Sequence, residues 1–358
     1  MTYDVAIVGA GIAGASLAAE LAPHARVLIL EGESAPGYHA TGRSAAFWSE
    51  TYGGPGVQPL TTASGAALSA FLQPLGSLHI GRAEDAAAID AFVAEFAGAV
   101  PLARVDPATL VPGLRREWTL GVLEPTCAYI DVAALHAAAL ATARRHGAEL
   151  VTDAPLRAAE RRDGRWRLDT VAGVFGAAIL VNAAGAWADA VAELAGAAPL
   201  GIRAYRRTLV QLRTDPAPPE GMPHVADIAS RFYFKPETGG RLWLSPHDET
   251  PVDPHDVAPE EIDVAIAIDR FEAVVDWRVS AVERRWAGLR SFAPDRLPVY
   301  GFAPDTPGFF WCAGQGGFGI QTAPAAAMLA ASVLLSRSPA DPVSGIDPSV
   351  YAPDRFTR

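Results

Sequence analysis

The chain has 358 residues, of which half are hydrophobic and 19% are charged, so it is long enough for two domains and unlike a disordered chain. Its formal net charge of −11 at pH 7 opposes nucleic-acid binding, because contacts to phosphates require clustered lysine and arginine side chains. The apolar stretches are short and rich in alanine, which predicts a protein that is not integral to a membrane.

Two cysteines, Cys127 and Cys312, are too few for a disulfide framework and have no metal-ligand spacing. We expect two buried thiols in a reducing compartment and no metal site. The first residues have neither the basic segment nor the apolar segment of a signal peptide. These features predict a cytoplasmic protein, and peripheral association with a membrane remains an open alternative.

The first 31 residues have the pattern of a strand, a glycine turn, a helix and a second strand. The parts are Tyr3–Val8, then Gly9, Gly11 and Gly14, then Ile12–Leu21 and Arg26–Leu30. Glycine lets the backbone approach a pyrophosphate closely, and the N–H groups and dipole of a helix N-terminus favour its charge. Glu31 follows the second strand, where an acid accepts hydrogen bonds from a ribose. The segment predicts a dinucleotide site.

The chain then leaves the simple strand–helix alternation. A loop rich in glycine, serine and threonine, Gly37–Ala46, comes first. Periodicity and turn signals predict the following elements. They are helices near Gln58–Phe71, Asp85–Phe96, Ile130–Arg145 and Trp187–Ala195, and strands at Leu78–Gly81, Leu156–Arg161, Trp166–Thr170 and Ala178–Val181.

The section Gly201–Trp286 differs in kind, with an antiparallel α+β pattern. Its predicted elements are strands Thr208–Leu212, Arg231–Phe234 and Leu242–Ser245 and a helix around Pro259–Val275. The last third returns to a buried strand, Phe309–Ala313, a glycine turn and a helix that closes at Leu335. We predict an α/β Rossmann-type domain interrupted by an α+β substrate domain with a mainly antiparallel sheet. The site is expected between them.

Five segments in this order resemble those of the D-amino acid oxidase-like flavoproteins, within which the D-arginine and D-amino acid dehydrogenases are most similar. They are Val8–Ser16, Gly37–Ala46, Val181–Trp187, Trp286–Phe292 and Gln315–Thr322. The resemblance implies FAD as cofactor and oxidation of an amine next to a carboxylate. It implies an FAD-binding domain at 1–75, 128–200 and 285–358 and a substrate-binding domain at 76–127 and 201–284.

The resemblance also implies which residues bind FAD. They are Gly9, Gly11, Ile12, Ala13, Gly14, Glu31, Gly42, Arg43, Ser44, Ala45, Ala183, Gly185, Trp187, Gly316, Gly317, Phe318, Gly319 and Ile320. In the sarcosine oxidase branch a cysteine after the arginine strand carries the flavin covalently. The corresponding segment here, Ser291–Gly301, contains no cysteine, so we expect non-covalent FAD.

Binding a substrate carboxylate calls for a guanidinium, which can form two parallel hydrogen bonds. Arg290 and Arg207 match a family pair that clamps the carboxylate. An exposed charge at a strand edge is the alternative for either residue. Because neighbouring strand residues face opposite sides, Arg206 is the alternative to Arg207.

Three further residues match catalytic positions of the family. Tyr233 matches a tyrosine whose hydroxyl supports substrate binding, although a tyrosine that fills the core would fit the pattern too. Tyr52 matches a tyrosine on a mobile loop, and Gln321 matches an active-site glutamine. The segment Pro294–Pro298 resembles one that lies against the flavin, or it is an ordinary turn.

The substrate pocket is expected to contain Phe47, Ser49, Ser77, Gly317 and Ile320. In the D-arginine dehydrogenases a glutamate binds the cationic side chain of the substrate, and the aligned residue here is Ser77. A histidine of those enzymes is replaced by Phe47. Both differences remove polarity, so we predict an uncharged, apolar substrate side chain.

The sequence thus predicts an FAD-dependent D-amino acid dehydrogenase or oxidase that transfers a hydride from Cα to flavin N5. The imino acid formed hydrolyses to a 2-oxo acid and ammonia. A glycine/sarcosine-type amine or a 2-hydroxy-acid oxidoreductase would share the carboxylate clamp, and a flavin-binding protein without turnover is a third reading. The electron acceptor, a quinone or oxygen, and the oligomeric state stay open.

Overall fold

The structure, a computed structural model, describes residues 2–356 of the chain. The strands, in chain order, are β1 (Thr2–Val8), β2 (Val27–Leu30), β3 (Phe47–Trp48), β4 (Leu72–Pro74), β5 (Ser77–Gly81), β6 (Ala103–Arg104), β7 (Leu120–Glu124), β8 (Ala128–Ile130), β9 (Glu149–Val151), β10 (Leu156–Arg162), β11 (Arg165–Thr170), β12 (Gly173–Asn182), β13 (Arg203–Asp215), β14 (His224–Asp227), β15 (Tyr233–Glu237), β16 (Arg241–Ser245), β17 (Thr250–Pro251), β18 (Arg278–Phe292), β19 (Val299–Phe302), β20 (Phe309–Ala313) and β21 (Gln315–Gly316). The helices are α1 (Ile12–Leu21), α2 (Gln58–Leu68), α3 (Ala86–Glu95), α4 (Val132–Arg145), α5 (Ala188–Leu194), α6 (Glu261–Glu272) and α7 (Gly319–Leu334).

An eight-stranded sheet forms the first layer, with the strand order β10-β11-β12-β1-β2-β9; in addition, β20 pairs with β12, and β19 pairs with β20. Strand β1 runs parallel to both β2 and β12, so its carboxyl end lies between theirs. This is the Rossmann-type arrangement that the sequence predicts, and it points the β1–α1 turn at the carboxyl edge of the sheet.

Helix α1 packs between this sheet and the helices α4 and α7. Leu17 and Leu21 are fully buried there against Leu140 and Leu329. Burying one leucine side chain stabilises the fold by roughly 1.5–3 kcal/mol, so these contacts fix the direction of α1. Helix α4 begins as predicted, because the Asp131 carboxylate accepts a hydrogen bond from the N–H of Ala134 at 2.9 Å.

The second layer is a ten-stranded sheet in the order β21-β18-β13-β16-β15-β14-β5-β7-β6, with β17 beside β13. Its pairs are antiparallel except β14 with β5, which confirms the predicted mainly antiparallel sheet. Helix α6 covers one face, where Phe271 packs against Phe234 with ring centroids 5.1 Å apart. In the long pair β13–β18, Tyr205 lies opposite Arg290 and Arg207 opposite Gly288.

The structure corrects several predicted boundaries. Strand β13 has 13 residues, longer than the predicted Thr208–Leu212, because polar residues such as Arg206 interrupt its apolar pattern yet are buried in ion pairs. Strand β15 begins at Tyr233 rather than at Arg231, since Ser230 and Arg231 donate backbone hydrogen bonds to Asp227 in a tight turn. The small sheet β3-β8-β4, which was not predicted, sets Phe47 opposite Tyr129.

Candidate active site

A cleft runs along the carboxyl edge of the first sheet and encloses about 1110 Å³, including open solvent. Its walls come from the β1–α1 turn, the loop at 37–44, the residues that follow β12, the end of β18 and the turn before α7. These are the five segments on which the sequence prediction rests. The fold brings them together at one place.

The glycine turn at the start of α1 leaves no room for side chains. A Cβ at Gly9 would lie 2.4 Å from the carbonyl oxygen of Ala183, and the φ of Gly9 is +103°. Gly11 is the N-cap of α1 and has no side chain to cap the helix, while Thr41 Oγ1 accepts a hydrogen bond from the N–H of Ile12 at 3.0 Å. The helix therefore presents its positive dipole end to the cleft, which suits a pyrophosphate.

Glu31 lines the cleft at the end of β2. Its carboxylate accepts hydrogen bonds from the N–H of Ala10 at 2.7 Å and from the N–H of Glu33 at 3.0 Å. These bonds fix the carboxylate beside the glycine turn and leave acceptor capacity for a ribose hydroxyl. His39 also lines the cleft, held by Glu33 at 2.8 Å and by ring contact with Trp187.

Arg290 lies near the end of β18 and is 9% exposed. Within the described part of the chain it forms no ion pair, and its buried Nε has no hydrogen-bond partner. The Tyr52 hydroxyl interacts with it, and Gly317 lies against both: a Cβ there would be 2.2 Å from the Tyr52 oxygen and 3.1 Å from Arg290 Nε. A buried, unpaired guanidinium beside the cleft is a site for an anion.

The two adjacent arginines of β13 face opposite sides. Arg206 pairs with Asp263 at 2.9 Å and with Glu260, under helix α6. Arg207 is 1% exposed and donates to the carbonyl of Asp248 at 2.6 Å. It is therefore Arg207, not its alternative, that shares a side of the sheet with Arg290.

The charges of this cluster act on one another. Burial lowers the pKa of Arg207, and the positive charge of Arg290 lowers it further. Burial alone would raise the pKa of Tyr52, yet Arg290 and Arg207 outweigh it and bring that pKa below the ordinary 10.0. Burial would lower the pKa of Arg290, but Tyr52 and Tyr233 keep it raised. The cluster thus contains two buried guanidiniums, of which Arg207 pairs with Glu249 at 3.0 Å.

A second cavity of about 1530 Å³, including open solvent, adjoins this cluster. The expected residues Phe47, Ser49 and Ser77 line it, together with Tyr52 and Tyr233. The hydroxyl of Tyr233 is buried and has no hydrogen-bond partner among residues 2–356. The fold thus places an aromatic and polar cavity next to the two guanidiniums.

Three histidines, His79, His224 and His247, also line the second cavity and were not predicted. They come from β5, from β14 and from the residues after β16, so no local spacing indicated them. Burial lowers the pKa of His247 to about 3 and that of His224 well below 6.5, which keeps both rings neutral. Among the residues that the structure describes, no cluster of His, Cys, Asp or Glu is arranged to hold a metal ion.

Comparison with known proteins identifies the family. The family described as DAO, FAD dependent oxidoreductase, matches residues 4–333. The chain belongs to this family. Over 206 residues it is 27% identical to hydrogen cyanide synthase subunit HcnC of Pseudomonas aeruginosa, an alignment that covers 56% of this chain and 48% of that protein. The match therefore spans about half the length of that relative.

Solved structures share the fold of this oxidoreductase over nearly its whole length. Glycine oxidase from Geobacillus kaustophilus has a TM-score of 0.82 at 24% identity, covering 97% of this chain and 98% of that one. L-proline dehydrogenase from P. horikoshii has a TM-score of 0.86 at 20% identity, covering 100% and 98%. At these identities the likeness shows the fold alone.

The first cleft fits FAD, the cofactor of the family. The N-terminus of α1 and Gly9 suit its pyrophosphate, and Glu31 suits a ribose. The turn before α7 supplies Gly316, whose φ of +55° and close packing on Phe292 exclude a side chain. That turn lies next to Arg290, so the cofactor site and the anion site share a wall.

Non-covalent attachment of the flavin stays a prediction, and Cys312 lies buried within β20.

Several expected cofactor residues lie in the wall itself: Gly9, Gly11, Ile12, Ala13, Glu31, Arg43, Ser44, Ala183, Gly185, Trp187, Gly316, Gly317, Gly319 and Ile320. Four others are placed behind it: Gly14, Gly42, Ala45 and Phe318. Gly14 lets α1 pack on the carbonyl of Gly9, and Gly42 closes a turn onto Gly37 at 2.8 Å. Ala45 packs against Tyr233, and Phe318 lines the second cavity.

Gln321 was expected in the substrate site, but the structure places it as a support of the segment at 49–52. Its amide nitrogen donates to the carbonyl of Tyr52 and to Thr61 Oγ1, each at 2.9 Å. Its amide oxygen accepts from the N–H of Ser49 at 3.3 Å. The expected pocket residues Gly317 and Ile320 line the cofactor cleft rather than the second cavity.

Glu124 holds the same segment from the other side and was missed by the sequence prediction. Its carboxylate is 0% exposed and accepts hydrogen bonds from Ser49 Oγ at 2.8 Å and from Glu50 N–H and Thr51 Oγ1 at 2.6 Å. Burial would raise the pKa of Glu124, but these bonds and nearby His79 lower it. A single acid at the end of an apolar strand was the only sequence signal.

The part of the chain at residues 2–356 contains no helix that combines the length and the apolar character needed to cross a membrane.

Proposed function

We propose that this oxidoreductase oxidises a D-amino acid with an uncharged side chain to the imino acid, which water hydrolyses to a 2-oxo acid and ammonia. The observation that carries the proposal is Arg290, a buried guanidinium that forms no salt bridge among the described residues and lies on the wall of the cofactor cleft. FAD, when bound, supplies the acceptor for the hydride that leaves Cα.

Arg290 binds the substrate carboxylate. A guanidinium and a carboxylate form two parallel hydrogen bonds, which fix the direction of Cα as well as its position. Arg207 lies in the same buried region, and its Nη1 has no hydrogen-bond partner among residues 2–356. It supplies a second positive charge to the carboxylate.

The charged cluster also favours the neutral form of the substrate amine. Oxidation at Cα requires a neutral amine, whose lone pair assists the departure of the hydride. Two buried guanidiniums disfavour a third positive charge nearby, so they lower the pKa of a bound ammonium group. Tyr52 and Tyr233 lie within this cluster and can orient the amine and the carboxylate through their hydroxyls.

A glycine/sarcosine-type amine oxidoreductase or a 2-hydroxy-acid oxidoreductase remains the second candidate. It would use the same carboxylate anchor, and the similarity to a glycine oxidase fits it. The second cavity favours an amino acid with a side chain over glycine or sarcosine, because it leaves far more space than the hydrogen atom of glycine needs, while a 2-hydroxy acid is separated from an amino acid only by a substrate panel. The electron acceptor is oxygen or a quinone in either case, and we propose a small-molecule substrate and a cytoplasmic location.

An anaerobic substrate panel tests the proposal. The purified holoprotein is mixed with D-amino acids, their L-enantiomers, glycine, sarcosine and 2-hydroxy acids, and loss of the flavin absorbance is followed by stopped flow. We expect fastest bleaching with an uncharged D-amino acid. Fastest bleaching with sarcosine or a hydroxy acid would favour the second candidate, and no bleaching by any compound would mean a flavin-binding protein without turnover. Repeating the experiment with oxygen separates oxidase from dehydrogenase.

A further inference from the structure

The wall of the second cavity contains a histidine nitrogen that the protein leaves unpaired. His224 is 4% exposed, and its Nδ1 lies 2.9 Å from Ser77 Oγ. Its Nε2 is buried and has no hydrogen-bond partner among residues 2–356. Leaving a buried polar atom unpaired is unfavourable, and a hydrogen bond to a ligand atom in the cavity would remove that penalty.

His224 lies beside the aromatic residues that separate it from Arg290. Its ring lies 4.8 Å from the ring of Phe47 and 5.4 Å from that of Tyr233, by centroids. Phe47 in turn lies 5.4 Å from Tyr52, which interacts with Arg290. His224 is therefore one aromatic ring removed from the groups beside the guanidinium. We expect the side chain of a ligand held at Arg290 by its carboxylate to extend past these rings toward His224.

The chemistry of the ring limits what that side chain can be. Burial lowers the pKa of His224 well below 6.5, and nearby His79 and Lys235 add to the effect, so the imidazole is neutral. Ser77 occupies one nitrogen. The other nitrogen donates or accepts one hydrogen bond, depending on the direction of the bond to Ser77. A carboxamide can satisfy either arrangement, because it has both donors and an acceptor.

We propose that His224, positioned by Ser77, determines specificity by hydrogen-bonding an uncharged polar side chain of the substrate, of the carboxamide class. The inference rests on the proposed function, in which Arg290 holds the carboxylate of a 2-amino acid. It replaces the apolar side chain that Ser77 and Phe47 predicted from the sequence. The two aromatic neighbours of His224 enclose the apolar part of the substrate side chain, and the imidazole forms a hydrogen bond with the polar group at its end.

Two measurements test this inference separately from the proposed function. The first compares kcat/KM for D-glutamine and D-norleucine, which have side chains of similar length. The second measures Kd, from the change in flavin absorbance, for 4-carbamoylbutanoate and hexanoate, which lack an amine and cannot be oxidised. The holoproteins are wild type, His224→Leu, His224→Gln and, as a matched control, His255→Leu at an exposed position outside both cavities.

We expect the wild type and the His255→Leu variant to prefer the carboxamide in both measurements by about fivefold to tenfold, the effect of one hydrogen bond. His224→Leu should abolish this preference by weakening only the carboxamide ligand. His224→Gln should retain part of the preference for the carboxamide, and this variant replaces the leucine variant in both measurements if the leucine variant loses FAD. An equal or greater wild-type affinity for hexanoate would overturn the inference, as would an unchanged preference in His224→Leu.

The pattern of results separates the two proposals. Selective binding of 4-carbamoylbutanoate that depends on His224, without flavin reduction by any amino acid, would uphold the inference about the pocket and refute the proposed function. Rapid flavin reduction by D-norleucine, with no effect of the His224 substitutions, would uphold the proposed function and refute the inference about the pocket. Absence of binding by both acids would overturn both.

Discussion

Arg207 donates a hydrogen bond from Nη2 to Oε1 of Glu249 at 3.0 Å. The same carboxylate accepts two bonds from Arg296, at 2.8 and 3.0 Å, at the edge of the second cavity. Glu249 is partly exposed and Arg207 is buried. The protein therefore supplies its own anion to one of the two guanidiniums proposed to hold the substrate carboxylate.

Glu249→Gln should lower the KM for the amino acid substrate. The variant removes an anion that competes for Arg207, and a partly exposed ion pair of this kind is worth about 1 kcal/mol, or roughly fivefold in KM. We expect kcat to change little. Steady-state kinetics measure KM and kcat for Glu249→Gln, with Asp253→Asn at an exposed position as the control. A KM that rises would show that Glu249 helps to bind the substrate.

Substrate binding should weaken at high pH through Tyr52. Because the neighbouring arginines lower the pKa of Tyr52 below 10.0, its hydroxyl loses its proton earlier than that of an ordinary tyrosine as pH rises. The phenolate repels a carboxylate at Arg290, so KM should increase on the alkaline side. The pH profile of KM in the wild type and in Tyr52→Phe checks this, and the phenylalanine variant should lack that limb. An identical alkaline limb in both proteins would assign it to another group.

Glu124 should make stability sensitive to acid. Its folded pKa lies below the 4.5 of the free group, so the unfolded chain binds the proton more tightly. The contribution of Glu124 to stability is complete above the unfolded pKa of 4.5 and is lost as pH falls through the lower folded pKa. Glu124→Gln should lower stability by about 2–4 kcal/mol near neutral pH and flatten the loss of Tm in acid. Thermal unfolding between pH 3 and 7 measures this. The exposed Glu193→Gln is the control, and a variant as acid-sensitive as wild type would refute it.

Gly9→Ala should abolish FAD binding. The added Cβ would lie 2.4 Å from the Ala183 carbonyl at a φ of +103°, so the cleft cannot keep its shape. Gly196→Ala is a matched control, because Gly196 also has a positive φ, +69°, but a Cβ there meets no atom within 4 Å. The ratio of flavin to protein absorbance after purification reports the result. Full flavin content in Gly9→Ala would contradict the placement of the cofactor.

The cofactor cleft could be predicted because its signals are local. Gly9, Gly11 and Glu31 lie within 31 residues, and each requirement follows from backbone geometry at that point. The direction of Arg207 could not be predicted in the same way. It depends on which face of β13 meets helix α6, and Asp263 on that helix takes Arg206.

The second cavity was only partly predictable. His79 and His224 are 145 residues apart and line the same cavity because β5 pairs with β14, a long-range parallel contact. Glu124 meets Ser49 and Thr51 by a similarly long connection. A sequence alone shows neither pairing, so the predicted apolar pocket overlooked the polar groups that these contacts bring to its wall.

Arg290 as the anchor of a carboxylate is the central claim, and one comparison tests it most directly. The rate constant for anaerobic flavin reduction is measured with the best amino acid of the panel and with the amine that lacks its carboxylate, in wild type and in Arg290→Leu. We predict that the wild type strongly prefers the amino acid and that the variant, with normal flavin content, loses this preference by about 10- to 100-fold. A preference that survives the substitution unchanged would contradict the account.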